Sequence, residues 1–303
     1  VMTTVTTLIG DYFTGNERKR FMGFQASFMA YGGVVFIALS GILTDVSWRI
    51  PFLLFAIPLA YLPLVVATIR EPEISKETED GKAKLQSSYP RSFVFFIYSI
   101  GFFFMACFYM IPTQLPFYLK NVVEVSSTAT GLAIATATLS GGTTSLFYTR
   151  IKSRSTYNFI YFLIFMAMGL GFMTISLSAI YGVVVMGLLI CGFGMGMLMP
   201  NTNTCLLELA PEKMRGRIMG GVTTSFFLGQ FFSPILFNPL YNAMPTHQAF
   251  TVVATLMLLL GMGFLVSAVY RSNRLKRFEP ETANSGKERE KALEEKARAE
   301  MDN

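Results

Sequence analysis

The sequence predicts an all-α integral membrane protein built from two related sets of helices, and three observations support this fold class. Of the 303 residues, 52% are hydrophobic and only 15% are charged, whereas a soluble domain carries about a quarter charged residues. The apolar residues fall in runs of about 20, the length that spans the roughly 30 Å core of a bilayer as a helix. The third observation is an internal repeat.

The repeat is a basic hexapeptide that occurs at residues 18–23 as Arg-Lys-Arg-Phe-Met-Gly and at residues 215–220 as Arg-Gly-Arg-Ile-Met-Gly. Both copies open a long apolar run, and Gly32 and Gly229 follow them at the same offset of 197 residues. Because similarity at a fixed spacing indicates duplicated structural units, we expect two parallel six-helix repeats.

Eight apolar runs predict eight full transmembrane helices, and the prolines of two runs predict a bend or a break. The run over residues 50–69 has Pro51 in its first turn, where a missing N–H costs little. Pro58 and Pro63 predict a bend inside it. The run over residues 92–119 carries two prolines and is expected to break near its far end. The predicted helices cover residues 21–43, 50–69, 92–119, 128–148, 157–177, 181–207, 218–241 and 249–270.

The 197-residue offset also divides the chain. Residues 1–70 are predicted to be the C-terminal part of the N-terminal six-helix half, beginning with the stub of a helix, and residues 92–270 the complete C-terminal half. Between them, residues 71–91 are rich in Glu and Lys, which is typical of a solvated linker. Residues 271–303 are predicted to be a charged tail.

Lysine and arginine are concentrated at alternate loops, which predicts sidedness. If the repeated basic loops face the cytoplasm, then of the 25 Lys and Arg residues all but Arg49 and Lys120 lie on that side. Cytoplasmic loops of membrane proteins carry such an excess. We therefore expect a multi-pass protein in the lipid bilayer of a cell membrane, a bacterial inner membrane, with the linker and C-terminus in the cytoplasm.

Two short stretches resemble motifs of the major facilitator superfamily. Residues 211–217, Pro-Glu-Lys-Met-Arg-Gly-Arg, resemble its loop between helices ten and eleven, and residues 48–52, Trp-Arg-Ile-Pro-Phe, resemble its Trp-Arg-x-x-Phe turn after helix five. If the helices are numbered as in that family, the chain is expected to lack helices 1–3 and most of helix 4. The Gly-Pro-x-x-Gly-Gly run of the family's drug antiporters falls on residues 36–41, where Gly41 alone matches.

The resemblance implies a secondary active transporter of small organic molecules that works by alternating access. We expect a proton-coupled exporter of lipophilic or drug-like compounds, with protons or another coupling ion as second partner, and a monomer when full length. The alternative within this class is an uptake carrier for a sugar, nucleoside or carboxylate. The alternative from another class is a truncated membrane protein without transport activity.

Ionisable side chains are absent from the centres of the predicted helices, and Asp45 and Glu208 lie at helix ends. A charge at the bilayer centre is costly and usually functional, so we expect amides, hydroxyls and aromatic rings to line the substrate path. The alternatives are hydrogen bonding between helices and, for tyrosines, packing with a bonded hydroxyl. The candidates are Tyr31, Tyr109, Gln114, Asn201, Asn203, Gln230 and Ser233.

Four arginines at equivalent repeat positions are candidates for a cytoplasmic gate: Arg18 and Arg20 in the first copy, Arg215 and Arg217 in the second. They would lock onto carboxylates or helix C-termini when the inside is closed. The alternative is a topological role, in which these side chains fix orientation and meet anionic lipid headgroups.

Enzymatic and metal-binding classes find no support. The three cysteines lie in apolar runs without Cys-x-x-Cys spacing, and the single histidine, His247, lies in a loop, so no metal site is predicted. The glycine-rich residues 192–196 lie in mid-helix with no preceding strand, and favour a close helix contact over a nucleotide loop. We expect no enzymatic activity, no cofactor and no nucleic-acid partner.

Overall fold

The computed structural model describes residues 15–68, 91–210 and 214–270, and the regular elements within these ranges are helical. The predicted stub, residues 71–90 of the predicted linker and the tail lie outside the described residues. The elements are α1 (Gly15–Val46), a 3₁₀ helix (Ile50–Ala56), α2 (Ile57–Thr68), α3 (Arg91–Phe108), α4 (Met110–Asn121), α5 (Ser127–Lys152), α6 (Tyr157–Leu177), α7 (Tyr181–Leu209), α8 (Arg215–Ala243) and α9 (Thr246–Tyr270).

Most helices have bounds close to those that the sequence predicts. Helix α6 begins and ends as predicted, and the other unbroken helices extend a few residues further than predicted. The run over residues 50–69 differs, because it begins as a 3₁₀ helix and becomes α-helical only at Ile57, beside Pro58. The structure thus places a change in helix type beside Pro58, and the bend itself stays a prediction.

The predicted break in the run over residues 92–119 falls at Tyr109, between α3 and α4. Pro112 explains this position. A proline has no N–H to donate to the carbonyl four residues earlier, here that of Phe108, and its ring clashes with that carbonyl. Beyond the break, the Thr113 N–H donates to the Tyr109 carbonyl at 3.2 Å, so the chain resumes helical bonding at once.

Four segments of the described chain are long and apolar enough to cross a membrane. These segments are Arg91–Asn121, Tyr157–Leu177, Tyr181–Leu209 and Thr246–Tyr270. They make the chain a multi-pass helical membrane protein. Helices α5 and α8 are as long but richer in Ser, Thr and Gly, and hydroxyls such as those of Thr143 and Thr224 bond carbonyls of their own helix. The total of eight full transmembrane helices remains a prediction.

Helix α7 packs against both α5 and α6, and glycines make these contacts close. A Cβ atom on Gly192 would overlap the Ala137 carbonyl of α5, and one on Gly196 would overlap the Gly141 carbonyl. The predicted close helix contact at the glycine-rich residues 192–196 is therefore confirmed.

Aromatic side chains fill the core between α3, α6 and α9. Phe104 of α3 meets Phe165 of α6 edge to face, with ring centres 5.6 Å apart, and Phe172 meets Phe250 of α9 at the same distance. All four rings are fully buried, and such pairs add about 0.5–1.5 kcal/mol beyond the burial of their area. This core holds the helices after residue 90 in one packed unit.

Hydrogen bonds join α3 to α8 along their length. The Tyr98 hydroxyl donates to the Ile218 carbonyl at 2.7 Å, and the Ser225 hydroxyl donates to the Tyr98 carbonyl at 2.7 Å. A Cβ atom on Gly229 would overlap the Phe102 carbonyl. The two backbones therefore lie too close for a side chain at this position. The Ser225 hydroxyl of α8 thus serves helix association.

Candidate functional site

Helices α1 and α5 run antiparallel in close contact, and they connect the residues before the predicted linker with those after it. Gly33 faces Thr138, and further along α1 Gly41 faces Gly131. A Cβ atom on Gly41 would lie 2.8 Å from the Ser127 carbonyl oxygen and 2.9 Å from the Gly131 Cα atom. Small residues at a helix interface allow the backbones to approach this closely.

Asp45, in the last turn of α1, caps the start of α5. Its Oδ1 atom accepts the Ser127 N–H at 2.8 Å, and its Oδ2 atom accepts the Thr128 N–H at 2.9 Å. The Ser126 hydroxyl accepts the Ala129 N–H at 3.1 Å. Because the first N–H groups of a helix have no partner inside it, these three bonds satisfy the free donors at the start of α5. The carboxylate is also favoured by the positive end of the helix dipole.

A cavity of about 1060 Å³ opens beside this contact. It is bounded by the end of α1, the 3₁₀ helix, α4 and the start of α5. Most of its lining is apolar, and its charged groups are Asp45 and Lys120. Five aromatic rings face it: Phe36, Trp48, Phe52, Phe55 and Phe117. Such a lining suits an apolar or amphiphilic molecule.

The aromatic edge of the cavity is ordered by ring contacts. Trp48 meets Phe52 edge to face with ring centres 6.4 Å apart, and the Arg49 guanidinium lies 4.9 Å from the Trp48 ring centre. An arginine over an indole ring gains about 0.5–1 kcal/mol at an exposed site. The predicted Trp-Arg-x-x-Phe turn therefore forms part of the cavity wall.

A polar cluster lies at the C-terminal end of α5. The Tyr148 hydroxyl donates to the Asn201 side-chain oxygen at 3.3 Å, and the Asn201 amide donates to the Tyr157 carbonyl at 3.4 Å. The Tyr157 hydroxyl donates to the Glu208 carboxylate in a short hydrogen bond, and the Lys152 ammonium lies 3.7 Å from the Tyr157 ring centre. The cluster ties α5, α6 and α7 together.

Two predicted path residues, Gln230 and Ser233, lie together on α8 against α3. The buried Ser233 hydroxyl donates to the Ala106 carbonyl at 2.6 Å, and the Gln230 amide nitrogen lies 3.8 Å from the Met105 sulfur. These contacts hold neighbouring helices together. Hydrogen bonding between helices is the alternative that the sequence analysis gives for these residues.

The other path candidates are dispersed. Tyr31 lies on α1 and is exposed, Tyr109 and Gln114 are partly buried around the break between α3 and α4, and Asn203 is partly buried on α7. Asn201 is fully buried in the polar cluster. None of the seven candidates lines the cavity beside α1 and α5, and their role in a substrate path stays a prediction.

The structure describes the side chains of two of the four candidate gate arginines. Arg18 and Arg20 lie in α1, but their side chains are outside the described residues. Arg215 and Arg217 are exposed in the first turn of α8. A gate formed by the two copies together therefore stays a prediction.

The sequence did not reveal the bond between Asp45 and α5. It marked Asp45 as an acidic residue at a helix end, and Ser126 has the residue type and position of a helix N-cap. The missing information is the pairing, because Asp45 and Ser127 are 82 positions apart and no periodic pattern relates them.

Comparisons with known proteins identify the family. The family model described as Major Facilitator Superfamily matches residues 1–234. No curated protein matches the chain. A similar solved structure is a crystal structure of a mutant of the peptide transporter POT in complex with sulfate, with 16% identity and a TM-score of 0.45. That match covers 58% of this chain and 37% of the transporter, so the chain spans little more than a third of its length.

Proposed function

Because the chain belongs to the Major Facilitator Superfamily, a family of membrane transporters, we propose that it is a secondary active transporter of small organic molecules. In this proposal two helical halves rock about a shared site, so that the site opens to one side of the membrane and then to the other. Residues 15–68 belong to one half and residues 91–270 to the other.

The cavity beside α1 and α5 carries this proposal. Pockets for small ligands have volumes of about 300–1,000 Å³, and this cavity of about 1060 Å³ has room for a drug-sized molecule. Its walls come from elements on both sides of the predicted linker. A site that changes its access when two halves move against each other needs walls from both halves.

For substrate, direction and coupling, we propose proton-coupled export of lipophilic or drug-like compounds. The aromatic lining favours a lipophilic substrate over a sugar, which would require many hydrogen-bonding groups. Along the described helices, charged side chains lie near the helix ends, so a charged substrate would find no counter-ion in their central turns. The acidic side chain in the lining of this cavity is that of Asp45.

One observation favours a second candidate, a carrier for an amphiphilic carboxylate. Lys120 lines the same cavity as the aromatic rings. An ammonium beside an apolar surface would recognise a molecule with a carboxylate at one end and an apolar body. In this candidate, replacing Lys120 with Gln abolishes the transport of carboxylates and leaves that of neutral compounds.

Transport of a compound panel by the full chain in lipid vesicles tests the proposal. The panel contains neutral lipophilic compounds, amphiphilic carboxylates, sugars and nucleosides. We expect the lipophilic compounds to cross faster than in vesicles without protein. Transport of sugars or nucleosides alone would favour the uptake carrier, and no transport of any class would favour a membrane protein without transport activity.

A further inference from the structure

The carboxylate of Asp45 joins two parts of the molecule that alternating access would have to separate. We propose that Asp45 is a conformational latch, which holds α1 to the start of α5 in one state of the transport cycle and releases it when that end opens. This inference rests on the proposed transport by rocking halves, and it assigns to one side chain the control of one of the two states.

The position of Asp45 supports a role toward α5. Asp45 lies in the last turn of α1, a turn without any basic residue. The C-terminal end of a helix carries partial negative charge and disfavours a carboxylate. Within α1, therefore, Asp45 is unfavourably placed. The N-terminal end of α5 carries partial positive charge, so the same carboxylate is favoured there.

The bonds that Asp45 makes are strong and yet reversible. Both oxygens accept backbone N–H groups, at 2.8 Å and 2.9 Å, and hydrogen bonds to an ionised group are about twice as strong as neutral ones. Asp45 is exposed, so water can take its place on the N–H groups of Ser127 and Thr128. Ser126 still caps Ala129 from within α5, so the start of α5 keeps a cap of its own when the latch opens.

The contact next to the latch favours two discrete states. One helical turn before Asp45, Gly41 lies against Gly131 with backbone atoms in contact. Packed interfaces respond to a bias by switching between arrangements, because they do not deform continuously. The carboxylate and the glycine contact therefore form or break together.

Cysteine accessibility in the full chain tests the latch. Thr138 faces α1 at Gly33, and the native residues Cys107, Cys191 and Cys205 are buried. A Thr138→Cys variant in lipid vesicles is labelled with a membrane-impermeant maleimide added on the side of Asp45. The parent chain with its native cysteines supplies the background. The variants to compare are Asp45→Ala, Asp45→Asn and Ser126→Ala.

We expect Asp45→Ala to raise the labelling rate at position 138 at least threefold, and Asp45→Asn to raise it at least twofold. The matched control is Ser126→Ala, which removes a cap from the same helix end but leaves the Asp45 carboxylate in place, and should leave the rate unchanged. Equal effects of Asp45→Ala and Ser126→Ala on the labelling rate would mean that Asp45 is a structural cap and not a latch. Unchanged labelling in both Asp45 variants would overturn the latch.

The readout also separates the latch from the proposed function, because labelling requires no substrate. Increased labelling in the Asp45 variants of a chain that transports no compound would support the latch and contradict transport. Normal transport combined with unchanged labelling would contradict the latch alone.

Discussion

Gly41 and Gly131 approach so closely that a Cβ atom on Gly41 would lie 2.9 Å from the Cα atom of Gly131. Gly41 is the one residue of the family's Gly-Pro-x-x-Gly-Gly run that this chain keeps in the predicted alignment. The structure gives that residue a packing reason, because any side chain there would push α1 away from α5. In the structure this contact and the bonds from the start of α5 to Asp45 are made together.

The first prediction concerns this glycine contact. Gly41→Ala should lower the free energy of unfolding by about 1–3 kcal/mol, the usual cost of overpacking. Gly32→Ala is the matched control on the same helix, because a Cβ atom there would meet nothing within 4 Å. Thermal unfolding in detergent measures both. Equal shifts for the two variants would contradict the close contact.

The second prediction concerns the bond between Ser233 and the Ala106 carbonyl. Ser233→Ala removes a bond between α8 and α3, and bonds between membrane helices contribute about 0.6 kcal/mol on average and up to about 1.7. The control is Thr224→Ala on the same helix, whose hydroxyl bonds the Gly220 carbonyl of its own helix. We expect the serine variant to lower the thermal midpoint more, with no change in the substrate concentration at half-maximal transport. A change in that concentration would return Ser233 to the substrate path.

The third prediction concerns Asn201 in the buried cluster. Asn201→Ala leaves the Tyr148 hydroxyl without its acceptor in a buried site, which costs about 1–3 kcal/mol. Asn203→Ala, two positions further on and only partly buried, should cost much less. Chemical or thermal unfolding in detergent would show the difference. Similar stability of the two variants would mean that the cluster does not support the fold.

The fourth prediction concerns the cavity wall. Phe117→Ala should raise the KM for a lipophilic substrate several-fold, because Phe117 lines the cavity. Phe227→Ala is the control, since Phe227 is 59% exposed against 62% for Phe117 but lies away from the cavity. Initial transport rates in vesicles measure both KM values. A rise in KM for Phe227→Ala alone would place the substrate elsewhere.

Much of the helical framework was predictable from composition and spacing. Helix α6 matches its apolar run at both ends, and the break at Tyr109 follows from Pro112, because both are local consequences of the sequence. The glycines of α7 also predicted a close helix contact. Such features need no knowledge of which helices are neighbours.

The contacts of the candidate site could not be predicted from the sequence, because they depend on neighbours far apart in sequence. Ser233 and Asn201 were selected as polar groups at membrane depth, and the structure places both in bonds between helices. The sequence shows Asp45 only as a residue at a helix end, whereas in the structure it connects α1 to α5. Polarity and depth alone do not tell whether a side chain faces a cavity or a neighbouring helix.

The central claim is that the chain moves a lipophilic compound through the membrane at the expense of a proton gradient. The most direct measurement is the rate of movement of one such compound in vesicles containing the full chain, at equal pH on both sides and then with an imposed pH difference. We expect accumulation against the compound's own gradient only when the pH difference is present. The same rate in both conditions would contradict it.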